Sequence, residues 1–130
     1  MVGGGRWILV VEDEAPIRET LVDALESEGH VVRSAENGQE GLRILNESPT
    51  APCMMLLDLM MPIVSGWQLL AALKQEGRLY DQPIIVLSAA PYAEPTLPPG
   101  IGFLAKPFDL TRVLDAVSSV CTLPAETPVT

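Results

Sequence analysis

Glu12, Asp13, Asp58, Ser88 and Lys106 each stand at or just past the end of an apolar run. Glu12 and Asp13 close Ile8-Leu9-Val10-Val11, and Asp58 closes Met54-Met55-Leu56-Leu57. Ser88 closes Ile84-Ile85-Val86-Leu87, and Lys106 follows Phe103-Leu104-Ala105. Runs of this length, bounded by turn signals, read as buried strands of a parallel sheet. Ligand sites in such sheets lie outside the carboxyl ends of the strands. Side by side, the runs bring three carboxylates, a hydroxyl and an ammonium to one edge. Repulsion among the carboxylates favours a proton or a cation. Mg²⁺ is the natural cation, a hard ion that takes oxygen ligands and keeps several waters. With Lys106, the charges then sum to about zero, and a phosphoryl group can approach. Asp58 is the candidate nucleophile, because a carboxylate can attack phosphorus and hold an acyl phosphate. The Ser88 hydroxyl and the Lys106 ammonium can each hold a phosphoryl oxygen. Ala89 is small enough for its backbone N–H to approach a third.

The remaining segments must bring these five residues together. Trp7 to Val11 reads as the first strand, and Pro16 suits the first turn of a helix. Ile17, Leu21, Ala24 and Leu25 recur at helical spacing up to Gly29, a plausible stop. His30 to Ala35 reads as a second strand, with Arg33 marking an edge or half-exposed position. Asn37-Gly38 marks a turn, and Leu42 and Leu45 give a short second helix. The third strand runs from Cys53 to Asp58. Ser65 with Gln68 resembles a capping box, and Trp67, Leu70 and Leu73 form the expected buried stripe of a third helix. Ile84 to Leu87 and Gly102 to Ala105 read as strands four and five. Asp109 caps a last helix with the stripe Leu110, Val113, Leu114 and Val117. Strands alternating with helices imply a doubly wound α/β fold with a parallel sheet and helices on both faces.

Composition narrows the function. The chain has 130 residues, room for one domain, and is 48% hydrophobic, which argues against disorder. The expected domain spans 6–121, with flexible tails at 1–5 and 122–130. A formal net charge of −9 argues against nucleic acid and anionic membrane as partners. No signal peptide is visible. The apolar stretch from Pro52 to Leu73 is interrupted by Asp58, Pro62 and Gly66, which argues against a membrane helix. Cys53 and Cys121 fit no metal spacing and read as reduced thiols of a cytoplasmic protein. Glu14 reads as a charge at a helix start.

These residues carry a family resemblance. Leu9-Val10-Val11-Glu12-Asp13-Glu14 resembles the first-strand acidic motif of the receiver domains of two-component response regulators. Leu57-Asp58-Leu59-Met60-Met61-Pro62, with Gly66 following, resembles their phosphoacceptor loop. Ser88-Ala89 resembles the hydroxyl-switch motif, and Lys106-Pro107-Phe108 the invariant-lysine motif. The resemblance implies a flavodoxin-like five-stranded parallel sheet of order 2-1-3-4-5. It implies that Asp58 accepts phosphate from a sensor histidine kinase, a phosphotransfer protein or a small acyl phosphate. Asp13, Asp58 and the Met60 carbonyl would bind Mg²⁺, with Glu12 acting through ordered water. Ser88, Ala89 and Lys106 would bind the phosphoryl group, and Ser88 and Phe103 would form the switch. Phe103 has no tyrosine hydroxyl to draw it outward, so its ring is expected largely inward without phosphate. A cis bond would precede Pro107. Helix one near Ile17 and Leu21, with the loop beside Lys106, would face the kinase.

One stretch departs from the family pattern. From Ser88 to Lys106 the chain is shorter by about four residues, one helical turn. Pro91, Pro95, Pro98 and Pro99 fall there, so the fourth helix is expected to be short or missing. This argues against the common dimer through that helix and leaves a monomer as the expected state. The expected function is a phosphorylation-dependent signalling module that catalyses only its own phosphotransfer and dephosphorylation. It would act on an unknown downstream protein, alone or as part of a longer chain. A pseudo-receiver that docks without phosphate is the alternative. A haloacid-dehalogenase-type phosphatase fits less well, because Met60 stands where that class places a second Asp.

Overall fold

A computed structural model describes residues 7–89 and 96–121. The elements are β1 (Trp7–Val11), α1 (Ala15–Ser27), β2 (Val31–Ala35), α2 (Gly38–Glu47), β3 (Met54–Asp58), α3 (Gly66–Gln75), β4 (Ile84–Ser88), β5 (Gly102–Ala105) and α4 (Leu110–Val120). The strands form one sheet of order β2-β1-β3-β4-β5, and every neighbouring pair is parallel. This is the doubly wound order expected.

Alternation along each strand divides the core in two. Leu9, Val11, Met55, Leu57 and Val86 face one side and pack with Ile44, Leu45, Leu69, Leu70 and Leu73 of α2 and α3. Ile8, Val10, Met54, Leu56 and Leu87 face the other side and pack with Leu21, Leu25, Val113 and Val117 of α1 and α4. β3 is buried at every position, which explains its unbroken apolar run. β2 is an edge strand, exposed at Val31, Arg33 and Ser34, as Arg33 signals.

Local chemistry sets the helix ends. Pro16 sits in the first turn of α1, and Gly29 takes a φ of 96° just past its end. Ser65 and Gln68 form the reciprocal capping box at α3, and Asp109 accepts from Thr111 N at 2.9 Å at α4. The buried face of α3 is Gly66, Leu69, Leu70 and Leu73, so Leu69 takes the place expected of Trp67. Trp67 is 37% exposed, because its position falls to the side of that face.

Residues 96–101 contain no α-helix, and the Tyr80 hydroxyl donates to Pro99 O at 2.6 Å there. Pro91 and Pro95 of the Pro-rich stretch lie outside the described residues, as do 1–6 and 122–130. The helix numbered fourth in this chain, α4, follows β5. Among the described residues, no helix is long and apolar enough to cross a membrane.

The cysteines differ from expectation. Cys53 and Cys121 form a disulfide, with Cα atoms 5.7 Å apart across a sequence separation of 68. Spacing in the chain carries no signal for it. The pair meets because Cys53 precedes β3, Cys121 ends α4, and α4 packs across the sheet face beneath both. The bridge removes the reduced-thiol argument for a reducing compartment.

Two outcomes are expected. Reduction of the bridge, or Cys53→Ala, should lower the unfolding free energy by about 2–4 kcal/mol, the usual range for a disulfide. Urea denaturation with and without a thiol reductant measures it, and an unchanged midpoint would show that the bridge adds nothing. At Gly66 a methyl group would overlap the Asp58 carbonyl oxygen and lie 2.7 Å from Leu59 Cα. Gly66→Ala should therefore destabilise by about 2–4 kcal/mol, visible as a lower melting temperature. A variant as stable as wild type would refute this account of the glycine.

Candidate functional site

The carboxyl ends of β1, β3, β4 and β5 meet at one edge, and each delivers one part of the site. Beyond β1, Glu12 N donates to Ala35 O at 3.0 Å, which carries the strand pairing into the acidic pair. The Glu12 side chain is fully buried, and its Oε2 accepts from Glu14 N at 3.1 Å. Arg18, in the first turn of α1, donates from Nη1 to Glu12 O at 2.9 Å and to Asp13 O at 3.4 Å. Asp58 ends β3 opposite Leu87, and its Oδ1 accepts from Met60 N at 3.3 Å.

The loop after Asp58 is held at both sides. Gly66 N donates to Leu59 O at 2.9 Å, and Gly38 N donates to Val64 O at 2.8 Å. Between them Ile63 takes a φ of 69°, a left-handed conformation that costs a β-branched residue energy and that the surrounding bonds enforce. Ser88, fully buried, ends β4, and its carbonyl accepts from Lys106 N at 2.8 Å. The bond from Lys106 to Pro107 is cis, as the family resemblance implies.

Lys106 Nζ reaches the acids directly. It lies 2.8 Å from Glu12 Oε1, 3.4 Å from Glu14 Oε1 and 3.6 Å from Asp58 Oδ1. One oxygen each of Glu12, Asp13 and Asp58 lie within 4.8 Å of one another, a spacing at which one ion can touch more than one of them. Asp13, Glu14, Asp58, Met60, Ala89 and Lys106 line a cavity of about 270 Å³. Phe103, on β5, is half-buried and packs on the core cluster that contains Val86, its partner in the sheet.

Glu14 and Arg18 are the two site residues that residue spacing did not single out. Glu14 is the N-cap of α1, as a helix-start charge should be, yet it also reaches Lys106. Only the return of β5 beside β4 puts that lysine within its range. A second hollow, of about 330 Å³, is lined by Pro16, Ile17, Thr20, Lys106, Pro107, Phe108 and Leu110. Ile17 and the Lys106 loop thus share one surface, but Leu21 is fully buried and takes no part in it.

The electrostatics follow from this packing. Burial pushes the Asp58 carboxyl up from 3.8 to about 7, and repulsion from Glu12 and a hydrogen bond with Asp13 add to it. Lys106 and the Met60 N–H oppose the rise. Burial lowers the Lys106 ammonium, but Glu12, Asp58 and Glu14 outweigh it and leave it raised. A carboxyl poised near neutrality beside two other acids is a site that a divalent cation can relieve.

The sign of the pH effect is fixed. Between about pH 4 and 7 the folded chain keeps a proton on Asp58 that the unfolded chain has lost. Stability from this group therefore falls as pH rises through that window. With a chelator present, Asp58→Asn should be more stable than wild type at pH 8 by about 1–3 kcal/mol, and the gap should close near pH 4. Urea titrations at the two pH values test this, and a gap independent of pH would refute it.

Comparison with known proteins places this geometry. The response regulator receiver domain model matches residues 8–118. A probable transcriptional regulatory protein from Picosynechococcus is 42% identical over 116 residues, covering 82% of this chain and 45% of that protein. The phosphate regulon transcriptional regulatory protein PhoB from Pseudomonas aeruginosa is 42% identical over 85 residues, covering 65% of this chain and 36% of that protein. The chain thus spans less than half the length of these two relatives. Among solved structures, the Francisella response regulator 1452 receiver domain superposes with a TM-score of 0.78 at 26% identity, covering 88% of this chain and 94% of that one. TrrA from Thermotoga maritima, solved in complex with Mg²⁺-BeF, gives 0.75 at 29% identity, covering 88% and 97%. With its fold, its acidic edge and its lysine in place, this chain belongs to the response regulator receiver domain family.

Proposed function

We propose that Asp58 accepts a phosphoryl group from the phosphohistidine of a sensor histidine kinase or a phosphotransfer protein. The observation that carries this reading is Lys106 Nζ, 3.6 Å from Asp58 Oδ1 within the acidic cluster. A carboxylate oxygen of Asp58 attacks phosphorus as the bond from phosphorus to the donor imidazole breaks. Lys106 holds one phosphoryl oxygen, the Ser88 hydroxyl a second, and the Ala89 N–H a third. Asp13, Asp58 and the Met60 carbonyl are the expected Mg²⁺ ligands, and Glu12 acts through water. When bound, the ion supplies charge neutralisation at the phosphoryl oxygens. Loss of phosphate to water is the only other reaction we assign.

The output is a change of binding surface. The Ser88 hydroxyl moves toward the phosphoryl group, and the half-buried Phe103 ring fills the space it leaves. The hollow between Ile17 and Phe108 receives the donor protein, because it opens beside Lys106. We place the domain in the cytoplasm, where the ATP that charges histidine kinases is found. Cys121 is only 4% exposed, so soluble thiols there meet the bridge through the partly exposed Cys53. We take a protein, not nucleic acid, as this domain's own target, since its formal charge is −9.

The test is intact-mass analysis after incubation with Mg²⁺ and acetyl phosphate or a phosphorylated kinase. Wild type is expected to gain one phosphate, which chelation prevents and which Asp58→Ala abolishes. No gain from any donor, or an undiminished gain in Asp58→Ala, would overturn the assignment.

A further inference from the structure

We propose that Glu14 governs how fast small anionic phosphodonors reach Asp58, by occupying Lys106 and adding negative charge at the mouth of the cavity. The proposal rests on Asp58 being the phosphoacceptor. Glu14 Oε1 lies 3.4 Å from Lys106 Nζ, and both residues line the same cavity as Asp58. The side chain is 59% exposed, whereas Glu12 and Asp58 are buried beneath it. Glu14 caps α1 through its backbone only, and its side chain makes no capping hydrogen bond. Its charged head is therefore held by Lys106 and not by the helix end, at the point where a donor must enter.

Charge counting gives the consequence. Glu12, Asp13 and Asp58 are balanced by Lys106 and one divalent cation. Glu14 adds a fourth carboxylate at the entrance. Arg18 carries the compensating charge, but it is turned to the Glu12 and Asp13 carbonyls and does not line the cavity, so the mouth itself is negative. A dianionic acyl phosphate approaching Asp58 meets that excess. To hold a phosphoryl oxygen, Lys106 must also give up its contact with Glu14. Both effects slow the same step, in which the Asp58 oxygen–phosphorus bond forms and the donor's oxygen–phosphorus bond breaks, releasing the carboxylate. A protein donor differs, because the apolar hollow lined by Pro16 and Ile17 offers it binding surface next to Glu14. Glu14 thus selects against free small donors.

The test compares the full chain as wild type, Glu14→Gln and Glu14→Lys, with Mg²⁺ present. Rate constants of phosphate gain are measured with dianionic acetyl phosphate and with the less charged phosphoramidate. At about 10 mM salt, Glu14→Gln should speed acetyl phosphate by about three- to tenfold, and Glu14→Lys further. Phosphoramidate should gain less, about twofold. The acetyl phosphate gain should shrink toward 1 M salt, where the screening length falls to about 3 Å. Variants no faster than wild type, or a gain equal for both donors and indifferent to salt, would overturn the role of Glu14 alone. Failure of wild type to take phosphate from any donor, a kinase included, would overturn the Asp58 assignment and this proposal with it.

Discussion

A single ammonium faces three carboxylates where the strands end. Lys106 Nζ lies 2.8, 3.4 and 3.6 Å from oxygens of Glu12, Glu14 and Asp58. Two of those acids are buried, and buried carboxylates without a counter-charge are costly enough to take up protons or disrupt the fold. The contact therefore constrains everything around it. β5 must lie beside β4 in register, so that Lys106 N meets Ser88 O as its side chain crosses β4 toward β3 and β1. β1 must end where Glu12 turns inward, and β3 must end at Asp58. One cation does not balance these acids, and the Asp58 carboxyl is raised first by its burial and then by repulsion from Glu12.

The loops around this contact are held more firmly than their exposure implies. The capping box at Ser65 fixes the start of α3, and Gly66 lets that start press against the Asp58 carbonyl. Gly38 N grips Val64 O from α2. Arg18 ties the Glu12 and Asp13 carbonyls to α1. The acids thus sit on backbone that is braced from both faces of the sheet, which is what preorganised charge requires.

The strands and the five polar residues at their ends could be read from the chain, because a strand covered on both faces must be apolar until its end. The first polar residue then marks the site. The helix faces were less legible. In α3, Trp67 and Leu69 are both apolar, and only the direction of the neighbouring sheet decides that Leu69 goes in. Glu14 looked like a helix-start charge because it is one; its second contact depends on a residue 92 positions away. The cysteine pair was illegible for the same reason, since neighbours across a sheet leave no local pattern. The fifth strand is legible although only half-buried, because Gly102 and Lys106 bracket its short apolar run.

The Cys53–Cys121 bridge has a mechanical consequence. Cys53 lies at the foot of the strand whose top is Asp58, and Cys121 is where α4 hands over to the residues that follow. The C-terminal end of α4 is thus tied to the base of β3 by a covalent link. That end cannot separate from the sheet by unwinding, and any sliding of β3 along its own axis is felt there without passing through a single non-covalent contact.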